Sequence, residues 1–325
     1  MRPTSGVSRA SAEPAALRRR GVGARGLLLA CLVGAAAPGC ASHDAVVGRA
    51  PAVDGAVPTW STDFAAADDA WEVQTMLDGA SVAFGARNAD ATDGFVAELR
   101  FPGHAGVVGT VDAGPNLATQ IATRRTFRYG TFRGRLQFAT CAPGEEIASA
   151  FFLFFYVDAD TNGNGLPDNP ELDLQVLCDA PSFVVLTAWS DYAAATPSTS
   201  EQFLKVSRAV DLATGDIYDA PSETTRAFAK TGNAPELARG SFVPGGFYDV
   251  GIDWRSDEVR FFIVLDGAEL TLLRVTDPRF IPNVSMQLML NLWHPQVHWV
   301  PRTGEAAYPA NDGILRVDRV SYDGP

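Results

Sequence analysis

Short runs in which apolar and polar residues alternate recur along the C-terminal half of the chain. Val250, Ile252 and Trp254 are separated by polar or small residues. The run Val259–Leu265 repeats the pattern and is followed by Asp266 and Gly267. A period of two places side chains on one face of a β-strand, and Asp-Gly between two such runs favours a hairpin. These runs therefore predict antiparallel strands.

The same pattern continues to the end of the chain. In residues 284–293 one face carries Val284, Met286, Leu288 and Leu290, and the other carries Ser285, Gln287, Met289, Asn291 and Trp293. The stretch "GILRVDRVSYDG" adds one more strand pattern. No long stretch has a convincing helical period, and "EQFLKVSRAV" is ambiguous. Many short strands separated by Pro and Gly predict an all-β sandwich or barrel.

One predicted strand, "PELDLQV", carries polar residues on a single face. Glu171, Asp173 and Gln175 share that face. The apolar residues between them point the opposite way and can pack between two sheets. At about 3.3 Å per residue, the Cα atoms of the outer two polar positions are ~13 Å apart. Long side chains that lean together can close most of that distance.

The N-terminal region has the pattern of a secretory signal. Residues 1–25 contain six arginines and one acidic residue, and the apolar run "GLLLACLVGAAAPGC" ends at Cys40. A basic segment before a short apolar core is typical of such signals. Ala37 and Gly39 resemble a bacterial lipoprotein cleavage site, although Pro38 is unusual there. We predict a lipoprotein-type signal at residues 1–39 with Cys40 lipidated; ordinary secretion is the alternative.

Residues 40–60 are mostly small, contain proline and have no period, so they predict a flexible tether before a single domain at residues 61–325. The formal net charge is −12 at pH 7, and loss of the arginine-rich signal makes the chain more acidic still. Such a chain has no electrostatic reason to bind nucleic acid or an anionic membrane. We therefore expect membrane contact only through the lipid anchor.

With Cys40 lipidated, Cys141 and Cys178 remain as a pair. Outside the cytoplasm an even pair is most simply a disulfide. Both cysteines also lie just beyond strands that should be neighbours in the sheet. Two separate buried thiols are the alternative.

Five segments together resemble family 16 glycoside hydrolases. In chain order they are "RTFRYGTFRGRLQF", "SAFFLFFYVD", "PELDLQV", "FYDVGIDWRSDEVRFFIVLDG" and "MLNLWHPQVHW". Their order is that of the family, and they cover roughly residues 119–322. The resemblance implies an all-β, concanavalin A-like jelly-roll sandwich of two curved antiparallel sheets. It also implies a cleft for β-linked polysaccharide across the concave face.

The catalytic strand of that family has the pattern E-[IL]-D-[IF]-E, which "ELDLQ" matches except at the last position. By resemblance, Glu171 is the nucleophile, Asp173 orients it, and Gln175 replaces the acid/base carboxylate. Val176, the position used when one residue is inserted, is not acidic either. An amide cannot protonate a leaving alkoxide, and losing a general acid/base costs about 10²–10⁴ in rate. We therefore expect polysaccharide binding with absent or impaired hydrolysis.

The stretch "DTNGNGLPDNPE" before that strand has the spacing of an EF-type calcium loop. The candidate Ca²⁺ ligands are Asp160, Asn162, Asn164 and Asp168, with the carbonyl of Leu166. Pro167 interrupts the usual contact in such loops, so a turn that merely joins two strands is an equal alternative. Glu171 is the twelfth loop position, but its alternation with apolar neighbours assigns it to the cleft. Calcium is the only cofactor that the sequence predicts.

Aromatic and amide side chains are the candidates for sugar binding, because aromatic faces stack on sugar rings. The predicted substrate-binding residues, which follow the family pattern or share the polar face of one strand, are Trp293, Asn291, Trp299 and Gln287. His294 and His298 lie four apart with no third ligand nearby in the sequence. They are predicted to be surface histidines rather than a zinc site.

Three functions are compatible with these patterns. The first is a bacterial cell-envelope protein, lipid-anchored or secreted, that binds a polysaccharide of β-glucan or galactan type with impaired hydrolysis. The second is an active retaining endo-β-glucanase that recruits another acid, such as Asp179. The third is a calcium-stabilised envelope protein without a sugar ligand.

The loop spacing leads to a first testable prediction. Millimolar calcium should raise the melting temperature, because an ion that binds only the native state adds about 2.7 kcal/mol at a hundredfold excess over Kd. The double variant Asp160→Ala/Asp168→Ala should lose the response. A melting temperature of the wild type that ignores both calcium and chelator would contradict the calcium loop.

Overall fold

The computed structural model describes residues 59–103, 116–156, 160, 169–193, 202–220, 228–238, 242–295, 298 and 304–325. Within these ranges the chain forms seventeen strands and two short 3-10 helices, Pro235–Leu237 and Pro278–Phe280. The first nine strands are β1 (Trp60–Thr62), β2 (Trp71–Thr75), β3 (Ser81–Arg87), β4 (Phe95–Phe101), β5 (Asn116–Thr123), β6 (Gly130–Gln137), β7 (Ala148–Phe154), β8 (Glu171–Leu177) and β9 (Phe183–Ala193). The other eight are β10 (Gln202–Asp211), β11 (Asp216–Asp219), β12 (Ala229–Asn233), β13 (Phe247–Trp254), β14 (Val259–Leu265), β15 (Ala268–Val275), β16 (Gln287–His294) and β17 (Gly313–Asp323). In the described part of the chain, no helix has the length and apolar character needed to cross a membrane.

The strands form two antiparallel sheets. An eight-stranded sheet has the order β15-β14-β13-β6-β17-β4-β3, with β1 paired to β17. A nine-stranded sheet has the order β12-β11-β10-β9-β8-β7-β16-β5-β2. The connections from β4 to β5, β5 to β6 and β6 to β7 each cross from one sheet to the other. This arrangement confirms the predicted all-β jelly-roll sandwich.

Apolar residues of both sheets share one core. Leu172 and Leu174 of β8 belong to the same cluster of buried side chains as Phe132 of β6 and Ile252 of β13. Since side chains alternate along a strand, the residues between Leu172 and Leu174 and on either side of them face away from the core. We call that side of the nine-stranded sheet the outer face.

Two boundaries differ from the sequence prediction. Trp60, assigned to the tether, is the first residue of β1 and pairs with Tyr322 of β17. Its ring centroid lies 5.7 Å from that of Trp71, so aromatic packing draws this residue into the fold. The ambiguous stretch "EQFLKVSRAV" contains strand β10, which pairs with β9 and β11. The predicted signal, Cys40 and the rest of the tether up to residue 58 lie outside the described residues.

Cys141 and Cys178 form the predicted disulfide, with their Cα atoms 5.3 Å apart. Strands β7 and β8 pair directly, and Ala148 lies opposite Leu177. Cys141 precedes β7 and Cys178 follows β8, so the bridge closes the same end of this strand pair. It therefore links the two strands next to the candidate catalytic positions.

Loss of this disulfide should destabilise the protein. For a sequence separation of 37 residues, restriction of the unfolded chain accounts for about 3–4 kcal/mol. The double variant Cys141→Ser/Cys178→Ser should show that loss in urea unfolding. Reductant should lower the unfolding midpoint of the wild type but leave the variant unchanged. Equal midpoints for wild type and variant would contradict the prediction.

Candidate functional site

Glu171, Asp173 and Gln175 share the outer face of β8, because the leucines between them are fixed in the core. The fractional exposures of the three residues are 7%, 1% and 2%. The sequence predicted an open cleft here, whereas in the structure these three side chains are almost fully buried. The physical reason is the bulk of the side chains on neighbouring strands, described next.

Strand register arranges the outer face in rows that run across the strands. Trp189 of β9 lies opposite Glu171, and Lys205 of β10 lies opposite Trp189. On the other side of Glu171 the row continues through Phe154 of β7 to Gln287 of β16. A large aromatic residue therefore flanks Glu171 on each side, which shields its carboxyl from water.

The second row passes through Asp173 and Thr187, and within it Ser207 Oγ donates to Thr187 Oγ1 at 3.1 Å. Asp173 is also linked to the first row. Trp189 Nε1 donates to Asp173 Oδ2 at 3.2 Å. Lys205 Nζ lies 4.8 Å from the centroid of the same indole ring, and Lys205 is only 2% exposed. The lysine thus places a buried positive charge close to the carboxyl pair, which partly offsets the cost of burying a carboxylate.

Burial changes the pKa values of both carboxyls, Glu171 and Asp173. Burial raises the pKa of Asp173 to about 6, against contacts with Glu171, Gln175 and Trp189 and the charge of Lys205. Burial, the charge of Asp173 and a hydrogen bond with it raise the pKa of Glu171 well above its usual range. The pKa of each carboxyl is therefore raised, and burial is the main cause in both cases.

Three buried acceptor oxygens on this face have no hydrogen-bond partner in the described structure: Asp173 Oδ1, Gln175 Oε1 and Asn291 Oδ1. A buried acceptor left without a donor costs about 1–3 kcal/mol. The other end of the Asn291 amide does have a partner, since its Nδ2 donates to Gln120 Oε1 at 3.4 Å. Gln120 Nε2 donates in turn to Gln74 Oε1 at 3.0 Å. A ligand with hydroxyl groups would supply hydrogen-bond donors to these three acceptors.

The third row, through Gln175, contains no carboxylate among the described strand residues. Its members on the other strands are Asn291, Ala150, Val185, Ala209 and Tyr218. Asp179, the sequence candidate for a recruited acid, lies beyond the end of β8. Its Oδ1 accepts from the backbone N–H of Gly144 at 3.1 Å, and its Oδ2 lies 3.8 Å from His298 Nδ1. The described residues offer no substitute acid beside Gln175.

The predicted sugar-binding residues on β16 are brought to the outer face. Trp293 is only 7% exposed and belongs to an apolar cluster with Leu117 and Leu177. Gln287 Nε2 donates to the carbonyl of Thr123 at 2.6 Å. The indole is therefore packed rather than presented as an open platform, whereas Asn291 retains a free acceptor.

Several predicted ligands cannot be placed. Asp160 is described and is exposed. Trp299 and the other predicted calcium ligands, Asn162, Asn164 and Asp168, lie outside the described residues. The calcium site therefore stays a prediction.

The prediction that His294 and His298 are surface residues is wrong. His294 is 2% exposed, and its Nε2 donates to the carbonyl of Ala307 at 3.2 Å. The side chain of His298 is 8% exposed, and its Nδ1 lies 3.2 Å from Glu146 Oε2. The partner Glu146 was missed because it lies 152 residues away in the chain. Only the sheet brings the two together.

No protein-family model and no curated protein sequence matches the chain. Among solved structures, a prokaryotic β-1,3-1,4-glucanase (lichenase) derived from a mouse hindgut metagenome is 18% identical with a TM-score of 0.46, over 83% of this chain and 100% of that chain. The κ-carrageenase of Pseudoalteromonas carrageenovora, in complex with an oligotetrasaccharide of κ-carrageenan, is 15% identical with a TM-score of 0.49. The match covers 82% of this chain and 93% of that chain. A GH16 protein of the Bacteroides ovatus mixed linkage glucan locus, in complex with G4G4G3G product, is 13% identical with a TM-score of 0.44. The match covers 81% of this chain and 99% of that chain. Similarities at this level do not assign the chain to a family.

The raised pKa of Asp173 predicts how stability depends on pH. The native state binds this proton more tightly than the unfolded chain, so the free energy of unfolding should fall as pH rises through about 6. Asp173→Asn removes the charge and keeps the shape. Between pH 5 and pH 7.5 the variant should therefore lose less stability than the wild type, by on the order of 1 kcal/mol.

Urea unfolding at the two pH values measures this difference. Asp257→Asn is the matched control, because it removes an exposed carboxylate from the turn between β13 and β14. An unchanged pH dependence in Asp173→Asn would show that Asp173 has the same proton affinity in the folded and unfolded chains.

Proposed function

We propose that the outer face of the nine-stranded sheet binds a β-linked polysaccharide of glucan or galactan type, and that hydrolysis there is absent or strongly impaired. The observation that carries the proposal is the set of three buried acceptors without donors, Asp173 Oδ1, Gln175 Oε1 and Asn291 Oδ1. Sugar hydroxyls are hydrogen-bond donors and would satisfy them. Phe154, which is half-buried and lies beside Glu171, adds apolar surface suited to a sugar ring.

The resemblance of "ELDLQ" to a catalytic strand supports the sugar class. Glu171, Asp173 and Gln175 lie on one face, as that strand requires. Family 16 proteins are glycoside hydrolases, and a sugar cleft in that family lies across the same strand. Binding of polysaccharide by this chain is thus the function that the residues of the outer face favour.

Hydrolysis is impaired for two physical reasons. Gln175 is an amide, and the described residues of its row include no carboxylate that could replace it. In addition, burial and the neighbouring Asp173 raise the pKa of Glu171, which disfavours the ionised carboxylate that acts as nucleophile. A retaining mechanism needs both an ionised nucleophile and an acid/base about 5–5.5 Å away.

We also propose that the protein is held at the bacterial cell envelope through a lipid on Cys40. The N-terminal pattern of arginines, a short apolar run and small residues before the cysteine supports this location. An anchored sugar-binding domain would keep a polysaccharide near the cell surface. Metabolic labelling with a palmitate analogue should mark the wild type and not Cys40→Ser.

Polysaccharide binding is tested by calorimetry and affinity electrophoresis with laminarin, mixed-linkage β-glucan, agarose and κ-carrageenan. At least one should bind, and Asn291→Leu should weaken that binding tenfold or more, since losing a hydrogen bond to a buried group costs about 1–3 kcal/mol. Asp257→Asn, which is remote from the outer face, should bind normally. Because the acceptors are buried, local opening must precede binding, and we expect association slower than about 10⁵ M⁻¹s⁻¹.

Failure of the wild type to bind any of these polysaccharides, or any sugar on a broad glycan array, would refute the proposal. That result would favour the calcium-stabilised envelope protein without a sugar ligand. Binding that is unaffected by Asn291→Leu would place the sugar elsewhere on the molecule.

A second experiment restores the missing acid. Gln175→Glu should raise polysaccharide hydrolysis by about 10²–10⁴, the usual contribution of a positioned acid/base. The variant should be assayed at pH 5 to 6 as well as pH 7, because a carboxyl beside Asp173 will be easier to accommodate when protonated. Circular dichroism and a melting curve check that the variant is folded.

In the wild type, activated substrates distinguish the role of the nucleophile Glu171 from that of the missing acid/base at Gln175. The dinitrophenolate of a dinitrophenyl glycoside leaves without help from an acid. Attack by Glu171 should therefore give a burst of dinitrophenolate, and turnover should then stall because no base activates water for the second step. Azide, which needs no base, should restart turnover, and Glu171→Gln should abolish the burst. Wild-type hydrolysis of polysaccharide at ordinary glycosidase rates would instead support the alternative, an active endo-glucanase with another acid.

A further inference from the structure

We propose that Glu146, Asp179 and His298 form a binding site for a divalent transition-metal ion, best matched to Zn²⁺, at the disulfide end of β7 and β8. Neither the polysaccharide function nor the predicted calcium loop uses these residues. The site therefore stands apart from the proposed function.

Three separate parts of the chain supply the side chains. Glu146 lies just before β7, Asp179 just after β8, and His298 after the end of β16. Because β7 lies between β8 and β16 in the sheet, these ends are adjacent. One ligand atom from each residue lies within 4.8 Å of the other two.

Hydrogen bonds from backbone N–H groups orient the carboxylates of Glu146 and Asp179 toward His298. Glu146 Oε1 accepts from the N–H of Asp179 at 3.3 Å, and Asp179 Oδ1 accepts from the N–H of Gly144 at 3.1 Å. The second oxygen of each carboxylate faces His298 Nδ1, at 3.2 Å for Glu146 and 3.8 Å for Asp179. The backbone at the histidine is itself held, since the backbone N–H of His298 donates to the carbonyl of Gly304 at 2.9 Å. Such supporting hydrogen bonds are what orient ligands in metal sites.

The spacing of the ligand atoms fits a tetrahedral ion. Zn²⁺ binds carboxylate oxygen and imidazole nitrogen at about 2.0–2.2 Å, which places neighbouring ligand atoms ~3.3–3.5 Å apart. The two separations from His298 Nδ1, 3.2 and 3.8 Å, lie on either side of that value, and all three ligand atoms lie within 4.8 Å of one another. Three protein ligands leave a fourth position for water or another ligand.

Burial adds an electrostatic reason for a cation. The side chains of Glu146 and Asp179 are each 2% exposed, and that of His298 is 8% exposed. Removing two neighbouring carboxylates from water costs several kcal/mol per ion unless positive charge compensates. A dication between them would balance both charges.

The ligand types select among ions. Ca²⁺ takes six to eight oxygen ligands and Mg²⁺ an octahedral set that is mostly water, whereas an imidazole with two carboxylates suits zinc. Cys178 Sγ lies 3.7 Å from Glu146 Oε1, but this sulfur is bonded to Cys141 and is not a thiolate. The ion would hold together the ends of β7 and β8 and the segment after β16.

The test uses the full secreted chain without a histidine tag, stripped of metal and titrated with ZnCl₂ by calorimetry. We expect one zinc per chain and a higher melting temperature in its presence. His298→Ala and Asp179→Asn should each lower the affinity at least a hundredfold. His294→Gln is the matched control, because this second buried histidine donates to Ala307 and should not affect zinc binding. Asp160→Ala/Asp168→Ala excludes the calcium loop as the zinc site.

Each outcome decides the question. Stoichiometric zinc binding that is lost in the two folded site variants and kept in both controls supports the site. No zinc binding by the wild type overturns it and leaves the contact between His298 and Glu146 as a purely structural one. Zinc binding that survives both site variants overturns it as well. If the site variants do not fold, X-ray absorption of the zinc-loaded wild type decides, since one imidazole among oxygen ligands supports the site and an all-oxygen shell refutes it.

Discussion

The packing of Leu172, Leu174 and Val176 between the two sheets is the constraint on which the outer face depends. A strand has only two faces, so fixing these side chains in the core fixes Glu171, Asp173 and Gln175 on the opposite side. A shift of one residue would exchange the two sets and bury the polar residues among Phe132 and its neighbours. The hydrophobic core thus decides the register of the candidate site as well as the stability of the sandwich.

Burial of polar groups on the outer face has a cost that the structure meets only in part. Asp173 accepts a hydrogen bond from Trp189, contacts Glu171 and Gln175, and lies near the charge of Lys205. The buried acceptors Gln175 Oε1 and Asn291 Oδ1 have no donor in the described structure. Burial and the charge of Asp173 raise the pKa of Glu171, which disfavours a second buried charge beside Asp173. Shifted pKa values and unsatisfied buried acceptors are features by which candidate sites are recognised.

The other end of β8 shows how distant segments of the chain are joined. The disulfide between Cys141 and Cys178 closes the end of the β7 and β8 pair, and the Glu146, Asp179 and His298 cluster lies beside it. Covalent and electrostatic links therefore converge where three neighbouring strands end. The row that contains Gln175 and Asn291 lies on the same three strands, so this end also sets the geometry of the candidate sugar site.

The sequence by itself determined the elements with a clear period of two and the face that each side chain occupies. Alternation predicted a sandwich or barrel and the common face of Glu171, Asp173 and Gln175, and cysteine pairing predicted the disulfide, because these are local or countable signals. The choice of a jelly-roll sandwich came from the resemblance to family 16. The sequence did not reveal that this face is closed, that Lys205 lies next to Trp189, or that Trp60 belongs to a strand. Nor did it show Glu146 beside His298, since strand order in a sandwich brings together residues that no short-range pattern connects. Those features depend on which strands become neighbours, and only the tertiary structure decides that.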